Sequence, residues 1–153
     1  LMYHLPWLRL IFPSAKYIHM VRDGRAVVHS MMRKQDYSLG EASTRWKDSI
    51  QLFQKHTANI NSENYIEVRY EDLVQNTHEK LGELCTFLNI EFKQEMLSDI
   101  PPNMGDTELP HLSNVSRSLT NEFMNQWRND LSSLETNYLN LKLQKELTLY
   151  KYS

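Results

Sequence analysis

Two hydrophobic periods take turns along the 153 residues and mark out the elements. Apolar and aromatic residues crowd Leu5 to Phe12 around Pro6, predicting a short helix that Pro13 and Ser14 break. AKYIHMV, Ala15 to Val21, reads as a buried strand running straight into a charged turn. From about Gly24 to Lys34 the pattern turns helical, with Ala26, Val27, Ser30 and Met31 on one face. Gln35 to Glu41 reads as a polar connection, and a longer helix follows with Trp46, Ile50 and Phe53 at i, i+4 and i+7. It ends in NINSEN, Asn59 to Asn64. YIEVRY then alternates, so Tyr65 to Tyr70 is predicted as a second strand with Ile66, Val68 and Tyr70 on one side.

Asn76 is placed to cap a helix from Thr77, with Glu79 three residues on, and Leu81, Leu84, Cys85 and Leu88 form its apolar stripe. Pro101 and Pro102 open a long irregular region reaching roughly Asn121, a length usually reserved for functional or disordered loops. The remainder reads as helical. One segment surrounds Phe123 to Trp127, and another, capped by Ser132 with Glu135, carries Leu134, Tyr138 and Leu141 on a single face. The two strands are joined by a crossover of roughly 40 residues, which implies parallel pairing in an α/β domain. Two strands make a poor sheet alone, so further strands are expected ahead of this segment.

Composition narrows the class. Hydrophobic residues make up 41% and charged residues 24%, and the formal net charge is −2, which argues against binding nucleic acid through bulk charge. No apolar run approaches a membrane span, and no signal-peptide pattern is present. The chain opens on Leu1 and reads as a piece of a longer protein. Its one cysteine, Cys85, lies in apolar helix context and reads as a buried thiol. The six histidines lack clustered ligand spacing, so no metal is expected, and His29 reads as a helix residue rather than a catalyst.

The candidate chemistry sits in MVRDGRAVVHSMMRK, Met20 to Lys34. A strand that ends in a turn and feeds a helix offers backbone N–H groups and the positive end of the helix dipole to an anion. Arg22 can present a guanidinium fork to a phosphate, Ser30 a hydroxyl two turns along, and Arg33 and Lys34 further charge. Asp23 can cap the helix or orient an arginine. The competing reading is a solvated turn with surface ion pairs, worth about 0–1 kcal/mol each. The chain has no GxxxxGK[ST] phosphate loop.

FPSAKYIHMVRDGRAVVHSMM resembles the 3′-phosphate-binding segment of the sulfotransferases, most closely the protein-tyrosine branch. The resemblance implies that Arg22 and Ser30 hold the 3′-phosphate of 3′-phosphoadenosine 5′-phosphosulfate, with Arg33 or Lys34 as the third basic contact. VRYEDLV, Val68 to Val74, resembles the strand-end motif whose tyrosine contacts the nucleotide, which maps to Tyr70. LSNVSRSLT, Leu112 to Thr120, resembles the LSKxxRST loop. It implies Ser113 near the sulfuryl group as the catalytic contributor, with Arg117 and Ser118 on the nucleotide side.

The fold so implied is a P-loop-like α/β sulfotransferase fold with a parallel sheet and flanking helices, incomplete at its N-terminal side. Residues 1–153 would be the C-terminal portion of one such domain. The 5′-phosphosulfate loop, the carboxylate base and a catalytic lysine would then precede Leu1, so these residues alone are expected to be inactive. The resemblance further implies a protein substrate with an acceptor tyrosine, a homodimer, and a place in the Golgi lumen behind a single membrane anchor. No cysteine precedes VRYEDLV and no lysine lies between Ser118 and Arg128, which leaves other hydroxyl acceptors such as glycans open. A non-catalytic nucleotide- or partner-binding domain and a nucleotide-kinase fragment are the alternatives.

Overall fold

The computed structural model describes residues 4–58, 62–98 and 124–152. In chain order these form α1 (Leu5–Ile11), β1 (Tyr17–Val21), α2 (Gly24–Gln35) and α3 (Leu39–Thr57). A 3-10 turn (Ser62–Asn64) leads into β2 (Tyr65–Arg69), α4 (Tyr70–Gln75) and α5 (Thr77–Leu88). After a second 3-10 turn (Gln94–Leu97) come α6 (Gln126–Asp130), α7 (Ser133–Lys142) and α8 (Gln144–Leu149).

The strands pair in parallel, as expected from the long crossover, with Tyr17 opposite Tyr65 and Val21 opposite Arg69. Their C-terminal ends therefore reach the same edge of the sheet, and the two segments that follow them, VRDGR and YEDLV, become neighbours in space. Beneath lies a core of Val21, Ala26, Val28, Trp46, Ile50, Trp127, Leu139 and Leu143, where α2, α3 and the C-terminal helices meet. Val68, Leu73 and Leu84 close a smaller cluster under α4 and α5. Along β1, His19 and Val21 face inward, whereas Ile18 and Met20 are 42% and 48% exposed. Cys85 is a buried free thiol, as its apolar context predicts.

Several expectations shift. Helix α3 starts at Leu39, inside the segment read as a connection, because Ser38 and Glu41 form a reciprocal capping box. Tyr70 is the first residue of α4 rather than the end of the strand: Arg69 stays extended, and Glu71 and Asp72 favour the positive end of a new helix. Asn76 precedes α5 but makes no side-chain cap. The Ser132–Glu135 box caps α7 as read. On α7, however, Leu134 and Leu141 are 83% and 77% exposed, while Leu139, and Leu143 just past the helix end, are buried in the core. Both stripes have helical spacing, and packing beside α3 selects the second. The Pro101–Asn121 region lies outside the described residues. Among the described residues no helix is long and apolar enough to cross a membrane.

Candidate functional site

The site grows from the ends of the two parallel strands. Arg22 leaves β1 half-buried, and its guanidinium carbon lies 5.0 Å from the centre of the Tyr70 ring, the first residue of α4. An aromatic face attracts a guanidinium through the ring's electron density, which steadies the fork at this position. Ser30 sits six residues into α2 and is half-buried. At 1.5 Å per residue this places it roughly 9 Å along the axis from Gly24. Arg33 and Lys34 follow on the last turn, both exposed, and Arg33 Nη1 lies 3.5 Å from Asp130 Oδ2. The same carboxylate takes His29 Nε2 at 3.0 Å, so His29 serves the α2–α6 contact.

The structure thus brings Arg22 and Tyr70 into contact and sets Ser30, Arg33 and Lys34 along the helix that Arg22 introduces. Ser113, Arg117 and Ser118 lie outside the described residues.

The turn itself is wired differently from a bare helix N-terminus. Asp23 caps α2 by accepting the Arg25 backbone N–H at 2.9 Å, and its two carboxylate oxygens take Arg25 Nε at 3.0 Å and Nη2 at 2.8 Å. Both residues are buried. Arg25 also donates to Asn140 and lies 4.4 Å from the centre of the Trp127 ring. This pair is architectural: it locks the start of α2 to α6 and α7. The Asp23 backbone N–H is taken in turn by Glu71 Oε1 at 3.0 Å. Two N–H groups that an anion could have used are therefore already satisfied by carboxylates. The groups at this edge that carry positive charge or a hydroxyl are the side chains of Arg22, Ser30, Arg33 and Lys34.

Gly24 explains itself in the same frame. A β-carbon there would lie 2.8 Å from ring atoms of Trp46, so only glycine lets α2 sit this close to α3.

Sequence reasoning singled out Tyr70 but passed over Glu71, whose place in YEDLV was the available signal. It also missed Tyr152, whose hydroxyl donates to Glu71 Oε2 at 2.8 Å. Nothing in the local sequence marks that tyrosine. Beside these residues a cleft of about 220 Å³ is lined by Asp23, Arg69, Asp72, Arg128 and Lys151 among others. Among the described residues no group of three or more His, Cys, Asp or Glu side chains is placed to hold a metal ion.

Comparisons with known proteins bear on this geometry. A family model described as the sulfotransferase family matches residues 1–94. Protein-tyrosine sulfotransferase 1 of Danio rerio is 34% identical over 100 residues, covering 61% of this chain and 28% of its own length. Protein-tyrosine sulfotransferase A of Caenorhabditis elegans is 30% identical over 119 residues, covering 73% of this chain and 30% of its own. The sulfotransferase domain from the curacin biosynthetic pathway superposes with a TM-score of 0.69 at 24% identity, covering 94% of this chain and 58% of that one, a likeness of fold. The sulfotransferase domain of the Synechococcus PCC 7002 olefin synthase gives a TM-score of 0.61 at 26% identity, covering 85% of this chain and 49% of that one. The chain spans about half the length, or less, of the curated relatives it matches.

Proposed function

Because this chain belongs to the sulfotransferase family, we propose that it supplies the 3′-phosphate side of a donor site for 3′-phosphoadenosine 5′-phosphosulfate. The enzyme it forms part of transfers the sulfuryl group to a protein tyrosine. The observation that carries this reading is the stacking of Arg22 on Tyr70 where the two parallel strands end. Ligands of open α/β sheets bind at that edge, outside the carboxyl ends of the strands. A guanidinium over an aromatic ring there, with the Ser30 hydroxyl and the cations of the last turn further along α2, offers the donor types a phosphate monoester needs. The third contact comes from Arg33, already held near Asp130, or Lys34 next to it; separate alanine substitutions tell them apart.

In this reading Arg22 and Ser30 bind and orient the donor by a phosphate remote from the reacting sulfur. Tyr70 positions Arg22 and offers its ring to the nucleotide. Sulfuryl transfer, like phosphoryl transfer, depends on in-line positioning and on stabilising charge at the leaving oxygen. Ser113 is assigned to the transferred group, and Arg117 and Ser118 to the nucleotide. The carboxylate base and the sulfate-end loop are assigned to a complementary part of the same domain, of which residues 1–153 form the C-terminal portion. Two features support that assignment. A parallel sheet is normally covered on both faces, yet Ile18 and Met20 of β1 are open, as are Trp7 and Leu10 of α1 at 65% and 73% exposure. The relatives are also about twice as long or longer. The nucleotide-kinase alternative falls away with the family. A Golgi-lumenal, membrane-anchored homodimer belongs to the same reading.

Titration calorimetry with adenosine 3′,5′-bisphosphate on the full-length protein tests the donor site. Arg22→Ala removes a charge-assisted contact worth about 1.5–3 kcal/mol, so affinity should fall roughly 10- to 150-fold. Unchanged affinity refutes the reading.

A further inference from the structure

Tyr152, near the end of the chain, lies far in sequence from every residue of the donor edge, yet it touches the turn that carries Arg22. Its hydroxyl lies 2.8 Å from Glu71 Oε2 and 3.3 Å from the Val21 carbonyl oxygen. The other oxygen of the same carboxylate accepts the Asp23 backbone N–H at 3.0 Å. The single O–H proton goes to Glu71 at the shorter distance. Residue 23 is therefore tied to the pair through Glu71, and residue 21 through the longer, shared contact with the same hydroxyl. Tyr70, which stacks under the Arg22 guanidinium, immediately precedes Glu71. From these contacts we infer that Tyr152 and Glu71 are positioning residues for the donor site, clamping the backbone on both sides of Arg22 so that its fork is aimed before the nucleotide arrives. The inference rests on the donor-site reading of Arg22 given above.

The chemistry of the clamp suits a fixed rather than an adaptable element. Tyr152 is 9% exposed, Asp23 6% and Val21 2%, whereas Glu71 is half-buried and borders the cleft, so the clamp is shielded at its Tyr152 end and open to the cleft at Glu71. Burial, followed by the adjacent Glu71 carboxylate, pushes the Tyr152 hydroxyl far above the ordinary tyrosine range, which keeps it a proton donor. The Arg69 guanidinium lies over the Tyr152 ring at 4.6 Å and donates to Asp72 at 3.3 Å, adding a contact to the ring. Tyr152 is thereby built into the donor edge from the far end of the described chain. Preorganising a binding group in this way lowers the cost of ordering it on binding.

The test compares full-length wild type with Tyr152→Phe, Glu71→Ala, Glu71→Gln and Arg22→Ala. Each is titrated with adenosine 3′,5′-bisphosphate and with adenosine 5′-monophosphate, well below its own melting temperature. The quantity of interest is the ratio of the two affinities, because loss of stability alone weakens both nucleotides together. Arg22→Ala sets the scale by reducing the ratio most. Tyr152→Phe keeps the ring and loses only the hydroxyl, and should reduce the ratio about 3- to 10-fold, the weight of one net hydrogen bond. Glu71→Ala should do at least as much. Glu71→Gln retains an acceptor for Asp23 and a polar partner for Tyr152, and should restore most of the ratio. The double variant Tyr152→Phe/Glu71→Ala should be no worse than Glu71→Ala, since the two act as one unit.

A reduced ratio in Arg22→Ala with an unchanged ratio in both Tyr152→Phe and Glu71→Ala overturns the clamp and leaves the donor site standing. An unchanged ratio in Arg22→Ala overturns the donor-site reading and the clamp with it. If Tyr152→Phe does not fold, the contrast between Glu71→Ala and Glu71→Gln decides: equal ratios refute the clamp.

Discussion

Gly24→Ala adds a single methyl group at the closest approach of two helices, and the structure fixes where that methyl would go. The new β-carbon would lie 2.8 Å from Cε3 and Cζ3 of Trp46 and 2.9 Å from Cδ2. Carbon atoms in good contact sit about 3.5–4.0 Å apart, so three contacts are short by more than half an ångström. The indole is only 5% exposed and packs in the main core, which leaves it little room to turn away. Overpacking of this kind costs about 1–3 kcal/mol. Replacing glycine by alanine in a helix recovers up to about 1 kcal/mol. The expected net loss is about 1–2 kcal/mol, which lowers the melting temperature of a domain of this size by roughly 2–8 °C.

Thermal unfolding followed by circular dichroism measures this directly, and a second background isolates the cause. Trp46→Leu removes the three ring atoms. In that background Gly24→Ala should be neutral or mildly stabilising. An equal loss in both backgrounds, or a raised melting temperature in the otherwise wild-type protein, would refute the steric account and leave the glycine without the role assigned to it.

Further outcomes are expected from the same geometry. Asp23→Ala strips the carboxylate from a buried guanidinium and the cap from α2; urea unfolding should show a loss of about 3–5 kcal/mol. Acid should weaken the β1–β2–α8 junction. Burial by itself raises the Glu67 carboxyl, but hydrogen bonds from His19 and Tyr150, with the charge of His19, outweigh it and hold the group below its ordinary 4.5. A carboxyl depressed in the folded state adds stability above its unfolded value and loses it as pH falls through the folded value. Melting temperature should therefore drop more steeply below about pH 4.5 in wild type than in Glu67→Gln. Parallel slopes would show that the His19–Glu67–Tyr150 contacts carry no pH-linked stability.

Much of this protein was legible in one dimension. The alternation of YIEVR and the apolar run YIHMV define the strands, and the length between them is the crossover that parallel pairing needs, since a tight hairpin turn cannot join parallel strands. The Ser132–Glu135 box and the Trp46–Ile50–Phe53 stripe carry their helices, since capping and amphipathicity depend on neighbours within two turns. Arg22 and Ser30 stood out because a charged strand-to-helix turn is itself a local pattern.

What stayed hidden depends on contacts between distant segments. Periodicity presents two apolar stripes on α7, and only the position of α3 and Trp46 buries Leu139 and Leu143 while leaving Leu134 and Leu141 outside. Asp23 and Arg25 look like surface charges until Trp127 and Asn140 fold over them and make them a buried pair. The sequence by itself marked Arg22, Ser30, Arg33 and Lys34 as candidates for a phosphate, through residue type and spacing along one strand, turn and helix. Only the tertiary structure decided that Tyr70 would support Arg22 and that Glu71 and Tyr152 would hold its backbone, because parallel pairing and the return of the chain's end set those groups side by side.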